Sequence, residues 1–166
     1  MPDAIFIETT VPSYDVARPS RNVVQLARQE LTREWWDFHR AAYDLYTSEV
    51  VLEEAGDGDA IMAQQRLNLL VGIPLLDISE QVADLADELV QSAILPPVAA
   101  RDAIHISSSA VHRMQFLLTW NCKHIRANPH IRERIRTCFS RHGIDLPVIC
   151  TPEEFIGDDD SNNPEA

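Results

Sequence analysis

No apolar run in this chain approaches the length of a membrane-spanning helix. The longest, LLVGIPLL at 69–76, is far short of the ~20 residues that a bilayer requires. The opening stretch, MPDAIFIETT, has no basic segment ahead of its apolar residues and does not read as a secretory signal. Cysteine is sparse: Cys122, Cys138 and Cys150 cannot all pair with one another, and none of their spacings matches a zinc motif. A reduced, cytoplasmic protein with no membrane association is the expectation. Positive charge is also in short supply, 14 Lys and Arg against 26 Asp and Glu, for a net charge of −12. Asp158, Asp159, Asp160 and Glu165 of the tail carry four of those negatives, and the body without them is still at −8. Such a surface disfavours a groove-reading DNA binder and tolerates a cation site or a basic protein partner. Internal repeats are absent.

What is present suits one ordinary globular domain: 166 residues, 45% apolar and 24% charged, enough to bury a sizeable core. The domain is expected over 1–156, with 157–166 an acidic tail expected to be disordered. Short apolar runs at 4–7, 44–48, 74–78, 116–119 and 147–151 read as about five strands. Between them lie helical patterns: a long one from a Ser20 cap to about Arg40, with Leu31, Trp35 and Phe38 on one face, then 48–55, 60–71, 80–93, 99–113 and 130–142. A last helical turn begins at Pro152. Strands alternating with amphipathic helices predict an α/β domain with a mostly parallel sheet. In such sheets ligands bind beyond the carboxyl ends of the strands, where the strand order reverses.

Four polar residues fall at or near such ends. Glu8 closes the first strand, and Glu54 lies six residues after Ser48, roughly 9 Å along its helix. Asp102 opens a helix whose Ala103, Ile106, Ala110 and Met114 form an apolar stripe, and Asn121 follows the fourth strand. Gathered carboxylates repel unless a cation neutralises them, and hard oxygen ligands suit Mg²⁺ or Mn²⁺. Acidic residues on helices also form ordinary solvated faces, and spacing alone does not separate the two readings. Glu53 competes with Glu54, because neighbours on a helix point in different directions. The Cys122 and His124 pair in FLLTWNCKHI lacks the further ligands that zinc needs and reads as incidental. His105 reads as a hydrogen-bonded core histidine or a residue of the pocket rim. Trp35, Trp36 and Phe38 read as core or as a dimer or partner surface. Arg132, Arg134, Arg136 and Arg141 form the one concentrated basic run, a solvated helix face or a guide for RNA phosphates.

The segments IFIETT, YTSEVVLEEA, ARDAIHISSSA and FLLTWNCKHI, in this order and spacing, resemble a PIN domain. They are most similar to the VapC-type toxin ribonucleases of bacterial toxin–antitoxin pairs, over about residues 4–156. The resemblance implies a PIN-like three-layer α/β/α fold and a metal-dependent endoribonuclease acting on RNA, with a cognate antitoxin as partner. Position by position, it places the acidic site at Glu8, Glu54, Asp102 and Asn121. Two departures stand out: the first acid of the family is more often Asp, and Asn121 replaces a common acid with a neutral amide that can coordinate only through its oxygen. Three negatives hold one divalent ion more readily than two, which puts a two-metal mechanism in doubt. Thr9, Thr10 and Thr119 are accessory candidates, as partners of water or phosphate or as local caps. The rival reading is a PIN-like module that binds RNA or protein with weak catalysis. A phosphatase or phospho-receiver fits less well, because Glu-Thr-Thr stands where a receiver needs adjacent acids.

Overall fold

The computed structural model describes residues 1–161, of which 158–161 by backbone alone. Four short apolar runs form strands: β1 (Ala4–Ile7), β2 (Asp44–Tyr46), β3 (Phe116–Leu118) and β4 (Val148–Cys150). All pairings are parallel, in the order β2-β1-β3-β4. Ile5 lies opposite Leu45 on one side and Phe116 on the other, and Leu117 lies opposite Ile149. Side chains alternate between sheet faces, yet Ile5, Phe6 and Ile7 are all fully buried, so both faces are covered. The covering helices are α1 (Thr10–Val16), α2 (Val23–Glu34), α3 (Glu49–Ala55), α4 (Ala60–Leu70), α5 (Glu80–Gln91), α6 (Ala100–Val111), α7 (Pro129–Ser140) and α8 (Pro152–Ser161). The chain steps one way from β1 to β2 and the other way from β2 through β3 to β4. Right-handed crossovers therefore put the intervening helices on opposite faces. Accordingly α2 packs with α1 and α8, and α5 packs with α6 and α7. The α/β fold with a central parallel sheet flanked by helices is the one read from the sequence. Among the described residues no helix is long and apolar enough to cross a membrane.

Five details differ from the expected pattern. The strand expected at 74–78 is reduced to one parallel bridge, Thr47 with Leu75, beside β2; Thr47 N–H donates to the Pro74 carbonyl and Leu76 N–H to the Thr47 carbonyl. Pro74 has no N–H to extend the ladder, and Leu75 is exposed. Next, α1 arises directly from the end of β1, where no helix is expected. Its Pro12 sits in the first turn, where a backbone N–H has no helical partner to lose. At the start of α2 the capping side chain is Asn22, accepting from Gln25 N–H, and the Ser20 hydroxyl supports it by accepting from Asn22 N–H. The aromatic stretch Trp35–His39 is a π-helical turn. Its wider turn changes the phase of the face, so Trp35 and Trp36 are buried while Phe38 is 80% exposed. Lastly, α8 is longer than one turn and stays helical to Ser161, into the tail expected to be disordered. Glu154 holds its start by accepting from Thr151 N–H, and Phe155 packs on Trp35, Tyr43 and Phe116. The rest of the tail, 162–166, lies outside the described residues.

Candidate functional site

From β1 the chain crosses to β2 on one side and returns to β3 on the other, which makes the β1/β3 boundary the point where strand order reverses. Glu8 and Thr119 are the first residues beyond these two strands. The Glu8 N–H donates to the Leu118 carbonyl at 3.2 Å, which continues the ladder and fixes where the side chain emerges. That side chain is buried, 2% exposed. Its Oε2 accepts from Thr10 N–H at 3.0 Å, from the Thr119 hydroxyl at 2.8 Å and from the Thr10 hydroxyl. Burial pushes the Glu8 carboxyl above its ordinary range, and the charge of His105 and the bonds from Thr10 and Thr119 only partly offset it.

The other acids come from α3 and α6. Ser48, at the end of β2, caps α3 by accepting from Val51 N–H, and the helix then carries Glu54 to the cluster while Glu53 faces solvent. The Glu54 Oε1 accepts from the Thr9 hydroxyl at 2.9 Å and pairs with His105 Nε2. On α6, Ala103, Ile106 and Ala110 are buried as expected and hold Asp102 and His105 toward the sheet. His105 is wholly buried, and its Nδ1 has no hydrogen-bond partner among the described residues. Burial alone would lower its pKa, but the bond with Glu54 and the charges of Glu8, Glu54 and Asp102 outweigh this and raise it. Glu54 shows the counterpart: burial raises its pKa, but the His105 bond and charge win and lower it. Glu8, Asp102 and His105 each offer a ligand atom, all within 4.8 Å of one another.

Asn121 is brought to the same place in an unexpected orientation. Its Oδ1 accepts from Lys123 N–H at 3.2 Å and His124 N–H at 3.1 Å, which turns the amide nitrogen toward Asp102 Oδ1 at 3.1 Å. What Asn121 presents to the acids is a donor, and its oxygen is spent on the backbone of its own loop. Asp102 is held on its other side by His124, Nδ1 to Oδ2 at 2.8 Å. Sequence reading missed this contact. Its one sequence signal is that His124 lies three residues past Asn121, in the turn that Asn121 closes. Cys122, between them, is exposed.

The accessory threonines are bonded to the acids: Thr9 to Glu54, Thr10 and Thr119 to Glu8. Thr10 also accepts from Trp120 N–H at 2.8 Å, which ties the loop after β3 to the start of α1. The basic run on α7 is partly neutralised, Arg136 by Glu133 and Arg141 by Glu88. The donor set of the cluster fits a divalent cation: Glu8, Asp102 and His105 offer two carboxylates and an imidazole within 4.8 Å of one another, with Glu54 beside them. The chain matches no family model and no curated protein sequence.

Proposed function

We propose that this chain is a PIN-like endoribonuclease that hydrolyses RNA phosphodiester bonds with the help of Mg²⁺ or Mn²⁺, and that it is the toxin half of a toxin–antitoxin pair. The observation that carries the reading is the convergence of Glu8, Asp102 and His105 within 4.8 Å at the reversal of strand order. Glu8 and Asp102 would hold the cation, with Glu54 and His105 alongside. When bound, the cation supplies Lewis-acid polarisation of a phosphoryl oxygen and a more acidic water. The chain's own residues set the stage for it. Thr10 and Thr119 fix the Glu8 carboxylate, Asn121 and His124 fix Asp102, and His105 and Thr9 fix Glu54. Glu54, 21% exposed at its side chain, would be the carboxylate that orients an attacking water. The cognate antitoxin, a homodimer and a cytoplasmic location belong to the same proposal through the resemblance and the composition.

A second reading, a PIN-like module that binds RNA or protein without efficient catalysis, is favoured by one observation. Asn121 offers the cluster an N–H donor where the family commonly has a charged ligand. Calorimetry with Mn²⁺ on wild type, Glu8→Gln and Asp102→Asn, beside cleavage of single-stranded RNA, separates the two. The ribonuclease reading expects binding and cleavage by wild type and loss of most of both in the variants. Mn²⁺ binding without cleavage supports the module, and variants that bind Mn²⁺ as well as wild type would sink the assigned site.

A further inference from the structure

We propose that the RNA strand enters the site over the α1–α2 side, with Arg28 contacting a phosphate from a perch on Trp120. This rests on the ribonuclease reading above. The acidic cluster and the net charge of −12 repel a polyanion, so an RNA path needs cations that are not already neutralised. Three cations of the basic run at α7 do not supply them at the site. Arg136 and Arg141 are paired with Glu133 and Glu88. Arg134 lines a groove of about 610 Å³ with Ser92, Ile94 and Thr137, residues with no bond to the acidic network.

Arg28 is different on three counts. Its guanidinium lies 5.3 Å from the centre of the Trp120 ring, a stacking contact that leaves its N–H donors free for an anion. It makes no ion pair among the described residues, and none of the carbonyl bonds that hold Arg33 to Asp15 and Ala17 or Arg66 to Ala55 and Asp57. It is also partly exposed. Trp120 fixes its position relative to the acids. The Trp120 indole N–H donates to the Thr32 hydroxyl at 2.8 Å, and that hydroxyl donates to the Arg28 carbonyl at 2.6 Å. The Trp120 backbone N–H donates to the same Thr10 hydroxyl that bonds Glu8. Tyr14, one turn after Thr10 on α1, packs on the Trp120 ring at 5.8 Å. The guanidinium is thus tied to the carboxylate cluster through one residue of the loop after β3.

The test is anisotropy of a fluorescein-labelled single-stranded RNA in EDTA, over a salt series, with wild type, Arg28→Gln, Arg28→Lys and Arg134→Gln. Losing one phosphate contact is expected to weaken binding about eightfold at about 50 mM salt and to reduce the slope of log K against log salt by about 0.7. Arg28→Lys keeps the charge and is expected to keep most of the slope; Arg134→Gln is expected to match wild type. The Mn²⁺ affinity and melting temperature of Arg28→Gln should be those of wild type. If Arg28→Gln keeps the wild-type affinity and slope, the path is wrong. A loss confined to Arg134→Gln would move it to α7 and leave the ribonuclease reading standing. If binding and melting temperature fall together in both Arg28 variants, the role is structural and the proposal fails. Wild type that binds Mn²⁺ but no RNA would remove both the RNA reading and the path.

Discussion

Replacing Asn121 with Asp changes one atom pair, and the structure gives its consequence a size. The Asn121 amide nitrogen lies 3.1 Å from Asp102 Oδ1. Its other terminal atom is held by two backbone N–H groups, so a carboxylate at 121 keeps the same orientation and brings a second negative oxygen to that distance. Two unit charges 3.1 Å apart repel by about 5 kcal/mol at an effective dielectric constant near 20. Side-chain relaxation and partial solvent access, with Asp102 15% exposed, reduce this to about 2–3 kcal/mol. For a chain of this size that is a fall of about 4–12 °C in melting temperature. A proton or a divalent cation between the carboxylates removes the repulsion, so the fall should be largest in EDTA at about pH 8 and smaller at about pH 5 or with Mn²⁺. Thermal denaturation of Asn121→Asp and wild type in these three conditions is the assay, with Mn²⁺ calorimetry beside it. The variant should gain more from Mn²⁺ than wild type does. A variant as stable as wild type in EDTA at high pH, or equally destabilised in every condition, would refute the contact between Asn121 and Asp102 on which the estimate rests.

Two further outcomes follow from the same geometry. Phe38 is 80% exposed because of the π turn, so Phe38→Ala should change stability by less than about 0.5 kcal/mol. A loss of about 3–5 kcal/mol in urea denaturation, the cost at a core phenylalanine, would mean that the regular helical face is the true one. The pH profile of stability has a sign on each side. His105 is raised from 6.5, so its contribution is complete below that value and is lost as pH rises through the folded value. Glu54 is lowered from 4.5, so its contribution is complete above that value and is lost as pH falls through the folded one. Glu8, raised from 4.5, adds to the loss as pH increases. The melting temperature in EDTA should therefore decline from pH 6.5 upward, and a profile that is flat or rising there would contradict the buried His105–Glu54 pair.

The sheet was legible because each strand depends on a local signal, and the acids were singled out by local signals together with the resemblance. Glu8 ends an apolar run, and Glu54 follows the Ser48 cap at a fixed helical distance. Asp102 opens a helix whose apolar stripe sets its rotation. Expectations failed where one atom or one extra residue in a turn decides the outcome. Pro74 lacks the N–H that would lengthen a strand, and the π turn at Trp35–His39 shifts the phase of a helix that periodicity treats as regular. Asn121 turns on two N–H groups of its own loop, so the identity of the residue does not disclose which end of the amide faces the acids.

His105 was read as a hydrogen-bonded core histidine and is one, yet its partner was not legible. Periodicity finds a site residue by contrast between a buried and a solvated face, and from His105 onward α6 offers almost no contrast: every residue from His105 to Ala110 is buried. A histidine there has no water to turn to, and burying it without partners is costly. It therefore takes its partner from whatever element packs beside it, here Glu54 of α3, 51 positions away. The cap at Ser48 places α3, α3 places Glu54, and Glu54 holds the raised pKa of His105 beside Glu8 and Asp102. The position of the histidine thus depends on the packing of α3 against α6, and no spacing within α6 encodes that.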